Sequence, residues 1–499
     1  MIHLRNTCWI AAVILLLLLA QSLQAQGGIS PTPTTQRAMA VRYDLPSFFM
    51  VVRPMQHSLG QRMPLLIWDL PMPTEAQSIW ARQSGSLRKT IDELAKRGVA
   101  PTVLVPGGSG ALALARTINE AHQPIFLLNA GPVIENTALR DCGVWVVGKD
   151  ATHPGHERRW PCLALANAQA GADWVRQVIE PFKNAGLTVQ GMFYDDEGLP
   201  YSENGIYEAQ AQSPQMREHY PPGTFKSRET FNEYVRSLHM ELMREVLVDP
   251  VHAVFPGTSI GEFGELSSTK ENPVMLANGQ PIPPIVCQGD ISMPALYANN
   301  NLLVPYLAPG QPMTQERADQ IYLASMLSMF SSTAANAKAE HKKIVPYVGQ
   351  TVPDNPSPAV RFGMNNALWH ELQYHLWLRG ADGMYIFDLG LPGGLVTADM
   401  SFHSVETVRS VYDQLLGCRD FLDHGQPMNY QVPRMFSDEP IWSGLRLKDR
   451  CLVRAFMPGK KGTTIHVPAF PNINVSLDAP PEGATYLIHQ DGKTEKLPL

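Results

Sequence analysis

Three consecutive acids, Asp195-Asp196-Glu197, follow directly on the apolar run Val189-Gln190-Gly191-Met192-Phe193-Tyr194. Side chains alternate along an extended chain, so Asp195 and Glu197 share one face, with Cα atoms about 6.5 Å apart, and Asp196 points to the other. A bulge at this point exchanges the faces and makes Asp196 the partner of Glu197. Two carboxyls held that close disturb each other's ionisation, and one can stay protonated near neutral pH. Cleavage of a glycosidic bond needs that pair: one general acid, and one group that stabilises positive charge. The plain alternative is a solvated acidic turn at a strand end.

The elements that must position these acids are legible as alternating strands and helices. Strands are expected at 65–70, 102–105, 125–129, 189–195, 251–255, 291–297, 343–348 and 383–387, with segments of helical period between them. Eight such units over residues 63–425 predict a (β/α)8 TIM-type barrel with enlarged loops, an open doubly wound sheet being the competitor. In a barrel, the carboxyl ends of the strands carry the active site. From residue 426 onward, short alternating runs broken by Gly, Pro and Asn predict a small C-terminal β domain over 426–499. Aromatic residues cluster at the predicted strand ends: Trp68, Tyr194, Tyr201, Tyr297, Tyr347, Tyr385 and Phe387. Sugar stacking suits such a set, although packing accounts for any single member.

The order of segments resembles the hyaluronidase family of glycoside hydrolases from about residue 63 to 420. Leu66-Ile67-Trp68-Asp69-Leu70-Pro71 resembles that family's apolar-Trp-Asn-x-Pro strand, and Asp195-Asp196-Glu197 its Asp-x-Glu motif. Pro294-Ala295-Leu296-Tyr297 resembles its Pro-x-apolar-Tyr, and Val345-Pro346-Tyr347-Val348 its seventh strand. Gly380-Ala381-Asp382-Gly383-Met384-Tyr385-Ile386-Phe387 resembles its Gly-Ala-x-Gly-apolar-Trp run. The resemblance implies that Glu197 is general acid and then base. It implies that Asp195 orients the substrate's own 2-acetamido group as nucleophile, an exception to the two-carboxylate scheme. Tyr297 would then bond near the acetamido group and Phe387 would floor the sugar subsite. Three departures mark a distant relative: Asp69 stands for Asn, Phe387 stands for Trp, and no Cys-rich C-terminal module follows.

Other constellations compete. Asp195 with Asp290, in Gln288-Gly289-Asp290-Ile291, resembles a retaining α-galactosidase-like pair, one carboxylate attacking and the other donating the proton. Asp388 could partner either scheme or cap a loop. A non-catalytic carbohydrate-binding barrel is the rival of another class, since fold does not imply function. Gly257-Thr258-Ser259-Ile260-Gly261 matches GxSxG, but no helical period follows the Ser as a nucleophile elbow requires. His370-Glu371 with His375 misses the HExxH spacing by one residue and reads as a polar helix surface. His153-Pro154-Gly155-His156-Glu157 reads as a loop, and Gly107-Gly108-Ser109-Gly110 lacks the Lys of a P-loop and reads as a tight turn. No metal and no cofactor are expected.

Composition bounds the partners. The 499 residues are 44% hydrophobic and 17% charged, with formal net charge -6. A large core is available, and without a Lys/Arg run nucleic acid is a poor partner. Arg158 and Arg159 are the nearest approach to a basic cleft for an acidic glycan. Arg5, the apolar run Trp9–Ala20 and Ser22-Leu23-Gln24-Ala25 have the form of a signal peptide over 1–25, too short to span a bilayer. A secreted or periplasmic protein without a stable membrane span is expected, with residues 26–62 as lead-in. Cys142, Cys162, Cys287, Cys418 and Cys451 remain after cleavage. Cys142 with Cys162 and Cys418 with Cys451 are possible bridges, and the odd count leaves one thiol over.

Overall fold

A computed structural model describes residues 45–67, 86–105, 108–130, 168–195, 217–218, 220–263, 289–298, 300–303, 306, 313–350, 362–387, 398–437, 439–459 and 461–499. The expected signal peptide, Cys142, Cys162 and Cys287 lie outside them. The strands are β1 (Leu65–Ile67), β2 (Val99–Pro101), β3 (Val103–Val105), β4 (Ile125–Ala130), β5 (Val189–Asp195), β6 (Ser259–Phe263), β7 (Ile291–Met293), β8 (Ala295–Tyr297), β9 (Lys343–Ile344), β10 (Tyr347–Gly349) and β11 (Tyr385–Ile386). The C-terminal set is β12 (Gln426–Pro427), β13 (Ile441–Arg446), β14 (Arg450–Phe456), β15 (Thr463–Phe470), β16 (Ile473–Ala479), β17 (Ala484–His489) and β18 (Thr494–Leu497). The described residues form two compact units, one within Val103–Gly264 and Ile285–Ile291, the other within Gly27–Thr102 and Ser292–Leu499.

In the first unit β3, β4, β5 and β6 pair side by side, all parallel. Their connections are helical: α1 (Gly108–Glu120) follows β3, and α2 (Ala168–Asn184) precedes β5. Ala168, Gly171, Ala172, Val175, Ile179 and Phe182 are buried along one stripe of α2, the 3.6-residue period of an amphipathic helix. Ser227 caps α3 (Arg228–Met243) in a capping box with Thr230.

The expected strand at 251–255 is instead helix. The chain runs on from α3 through a π-helical turn at Arg244–Val248 into α4 (Asp249–Val254), with Pro250 in its first turn and Val251 and Val254 buried. Burial of a helical face overrides the β-preference of the valines. The strand of this unit is β6, five residues further along, and Thr258 ties its start to β5 by donating to the Val189 carbonyl at 2.6 Å. Ser259 therefore opens a strand, and no nucleophile elbow exists at the GxSxG match.

In the second unit the parallel order is β2-β1-β11-β10-β8. Among the described residues parallel strands form these sheets, and no closed barrel is formed. The unit's long helices α5 (Gln315–Ala339), α6 (Asn366–Leu378) and α7 (Ala398–Leu416) are largely buried. The C-terminal strands form a separate antiparallel sheet, β12-β13-β14-β17-β18, and the hairpin β15–β16. Cys451, Val453, Val467, Leu477 and Ile488 centre its core. Cys418 and Cys451 are both free, which corrects the expected bridge. The Cys451 thiol donates to the Ala469 carbonyl at 3.2 Å inside that core.

A buried ionic network fastens α6 to this sheet. Arg454 of β14 meets Glu371 of α6 with both arms, Nε to Oε1 at 2.9 Å and Nη2 to Oε2 at 2.6 Å, with both side chains 3% exposed. Arg454 also donates to Thr485 Oγ1 and to the Glu482 and Leu499 carbonyls. His375 Nδ1 lies 2.8 Å from Ser443 Oγ, which also accepts from Arg379 Nε at 2.8 Å. Glu371 and His375 are thus interior groups, which corrects their reading as a polar helix surface: α6 is covered on nearly every side, so its polar residues are buried with the rest.

Burial favours the neutral carboxyl at Glu371, but hydrogen bonds from Arg454 and His375 outweigh it and hold the pKa below the usual value. Removing one partner leaves the other charge buried and unmatched, so Arg454→Met is expected to cost about 3–5 kcal/mol in denaturant melts. Burial lowers the His375 pKa, against the opposing pull of Glu371. The imidazole is thus neutral when folded, while the unfolded chain takes up its proton below about pH 6.5. Stability is expected to be full above that pH and to decline as pH falls through it, ahead of the loss from Glu371. Denaturant midpoints taken across pH should show the decline starting at lower pH in His375→Gln.

Candidate functional site

The first unit places the acidic cluster by its ladder. Asp195 is the last residue of β5, in register with Ala130 at the end of β4 and Phe263 at the end of β6. It therefore stands at the carboxyl edge of a strand flanked on both sides by parallel neighbours. Asp196, Glu197, Trp68, Asp69, Tyr201 and Asp388 lie outside the described residues, as do Arg158, Arg159 and His153–His156. Tyr194, one residue before the edge, is fully buried. Its register partner Glu262 is a buried carboxylate, 7% exposed, one residue short of the end of β6. Sequence reading passed over Glu262, because it saw these residues only as the flank of the GxSxG match. The signal that finds it is the ladder: a carboxylate on a short central strand, level with the last turn before the edge.

Asp290 is placed differently. Its Oδ2 accepts from the Ile260 backbone N–H at 3.1 Å, and its own N–H donates to the Ile260 carbonyl at 2.8 Å. Ile260 is in register with Met192, three residues before Asp195, a rise of about 10 Å along the strand. Gly289 permits this approach, since a Cβ there would strike the Ile260 carbonyl. His252 Nε2 stands 3.7 Å from the same carboxylate. Asp290 is thus a ladder-end cap on β6, spent on the backbone and set back from the carboxyl edge. The alternative pairing of Asp195 with Asp290 calls for carboxyls about 5–5.5 Å apart, whereas their rungs lie about 10 Å apart along the ladder.

The second unit assembles four of the predicted aromatics on one sheet face. Tyr385 of β11 is in register with Tyr347 of β10, and their rings stack at 4.4 Å and 14°. Tyr385 Oη lies 2.7 Å from Thr102 Oγ1. Both tyrosines are fully buried, and packing explains them. One layer nearer the carboxyl ends, Phe387 and Tyr297 stack at 4.9 Å and 28°, and both are half-buried. Between their strands lies Gly349, the register partner of Tyr297. The two rings sit on strands two spacings apart, roughly 9.6 Å, and they meet because the intervening residue has no side chain. Tyr297 and Phe387 therefore form the partly accessible aromatic shelf of this sheet, raised on the buried tyrosine pair.

Among the described residues no group of three His, Cys, Asp or Glu side chains is placed to hold a metal. No described helix is long and apolar enough to cross a membrane.

No family model and no curated protein matches the chain. Among solved structures, bee venom hyaluronidase in complex with a hyaluronic acid tetramer is similar at 13% identity and TM-score 0.37, over 72% of this chain and 96% of that one. A debranching enzyme of Nostoc punctiforme is similar at 12% identity and TM-score 0.40, over 86% and 99%. An α-galactosidase of Geobacillus stearothermophilus is similar at 10% identity and TM-score 0.39, over 88% of this chain and 51% of that one. The chain thus resembles glycoside hydrolases distantly, bee venom hyaluronidase among them, and likeness at this level assigns neither substrate nor mechanism.

Asp290→Ala is expected to lower stability by about 1 kcal/mol, the worth of one hydrogen bond, while any glycan cleavage stays at the parent rate. Denaturant melts and a reducing-end assay on the same preparation check both halves. A large loss of cleavage would restore Asp290 to the chemistry.

Proposed function

We propose that the protein is a secreted glycoside hydrolase acting on a glycan that contains N-acetylhexosamine. The observation that supports it is the position of Asp195 at the carboxyl edge of β5, between two parallel neighbours, with Asp196 and Glu197 next in the chain. Strand ends of this kind are where parallel α/β folds gather their chemistry.

Glu197 protonates the leaving-group oxygen and then, as the carboxylate, takes a proton from the incoming water. Asp195 orients the substrate's 2-acetamido group and stabilises the positive charge it develops. The acetamido oxygen closes on the anomeric carbon as the leaving group departs, and water reopens the ring with net retention. The half-buried Tyr297 and Phe387 are assigned contact with the sugar, Phe387 by its ring face and Tyr297 by its hydroxyl. The reading includes a cleaved signal peptide over 1–25, barrel closure over 63–425 and a β domain over 426–499.

The test is reducing-end release from hyaluronan, chondroitin, chitin oligosaccharides and α-galactosides. Cleavage of an N-acetylhexosamine polymer is expected, and Glu197→Gln should lower it by about 100-fold or more, the scale of a lost general acid. Cleavage of α-galactosides alone would refute the acetamido mechanism. Binding without cleavage would make the chain a carbohydrate-binding protein.

A further inference from the structure

Phe436 lies on the segment between β12 and β13 with φ 62°. The left-handed region is open to Gly and tolerated by Asn, but for a bulky side chain it is an outlier that must be held in place. Burial does not reward the strain. With Met50, Phe436 is one of the two large apolar side chains exposed among the described residues, at 46%. Neither the backbone nor the core therefore accounts for a Phe at this position.

The surroundings fix the ring rather than cover it. The Arg317 guanidinium lies 5.2 Å from the ring centroid and donates to the Tyr306 carbonyl at 3.4 Å. The Tyr306 ring meets Phe436 at 6.0 Å and 82°. The fixed ring lines an open cavity of about 310 Å³ with Thr314, Glu316, Arg317 and Gln320. The depression is open, so a ligand there would meet the ring on one face and keep the other in water. The Thr314 side chain is already engaged in capping α5, accepting from the Arg317 N–H, so the helix end adds nothing to the cavity's chemistry.

We propose that Phe436, Glu316 and Gln320 form a second glycan-binding site that takes a neutral pyranose unit of a polysaccharide. An aromatic face is electron-rich and attracts the C–H groups on the flat side of a pyranose. Glu316 can accept from sugar hydroxyls, and the Gln320 amide can both donate and accept. Among the described lining residues the charges are Arg317, which lies over the ring, and Glu316, and they balance, which favours an uncharged sugar. The inference takes from the proposed function only that the partner is carbohydrate.

Native affinity electrophoresis tests it, in gels containing glycol chitin or galactomannan, with Glu197→Gln as the parent so that the gel is not digested. The parent should be retarded in at least one gel. Phe436→Gly should weaken retardation roughly tenfold in apparent affinity, the scale of a lost aromatic contact. Its melting temperature should be unchanged or higher, because Gly relieves the left-handed strain. The double variant Glu316→Ala/Gln320→Ala leaves the ring in place and should weaken retardation as well. Absence of retardation in every gel, or equal retardation of parent and variants, overturns the proposal. So does a fall of several degrees in the melting temperature of Phe436→Gly, which would make the ring a packing element. Retardation that depends on Phe436, in a protein that with Glu197 intact cleaves no polymer, would sink the hydrolase reading and leave this site standing.

Discussion

The second unit is organised around one buried contact, the two-armed ion pair between Glu371 on α6 and Arg454 on β14. Two charges withdrawn from water are costly unless every polar atom finds a partner. Arg454 meets that condition by spreading its remaining donors over Thr485, Glu482 and Leu499, and by laying its guanidinium over the Tyr374 ring at 4.2 Å. The demand reaches the turn before β17. Gly483 has φ 71°, and a Cβ there would run into both Arg454 Nη2 and Glu371 Oε2. One pair therefore constrains a helix face, a strand register and the residue type of a turn at once.

A similar economy governs the two parallel sheets. The ladder decides which residues reach a carboxyl edge, and the side chain between them decides what they can do there. Asp195 reaches its edge because β5 runs one residue past Tyr194 in step with both neighbours. Tyr297 and Phe387 touch because Gly349 leaves room between them. Asp290 bonds to the Ile260 N–H three residues below the edge, so its charge is used on the backbone. Acids close in sequence to a strand thus differ in role according to the rung on which they sit.

Much of this was legible in the chain itself, for physical reasons. β5 has the predicted bounds because a continuous apolar run between a helix end and an acidic cluster has few other solutions. The C-terminal β domain follows from its short apolar runs between Gly, Pro and Asn, which fall on β13, β14, β15 and β17, whereas the exposed residues of β18 give no apolar period. The valines at 251 and 254 misled because local preference is weak against a helix already running from Arg228. Glu371 and His375 misled because periodicity reports burial only when one helix face is wet, and α6 has almost none. The Tyr297–Phe387 shelf could not be read at all: it depends on Gly349, a third residue on the strand between.

The interior of α6 also shows why geometry alone does not make a site. Ser443, His375 and Glu371 stand in relay order, 2.8 Å from Oγ to Nδ1 and 3.3 Å from Nε2 to Oε1. Arg379 Nε donates to Ser443 Oγ at 2.8 Å, so the oxygen that faces His375 Nδ1 is also held by a guanidinium. A nucleophilic Ser needs more than relay order: a lone pair free for attack and open space in front of it. Here Oγ already accepts from a guanidinium, and Ser443 and His375 have no exposed surface. The same three residue types that carry out hydrolysis at a surface act in this core as a latch. Chemistry on a polymer requires groups at an accessible edge, and among the described acids Asp195 ends a strand at the carboxyl edge of its sheet.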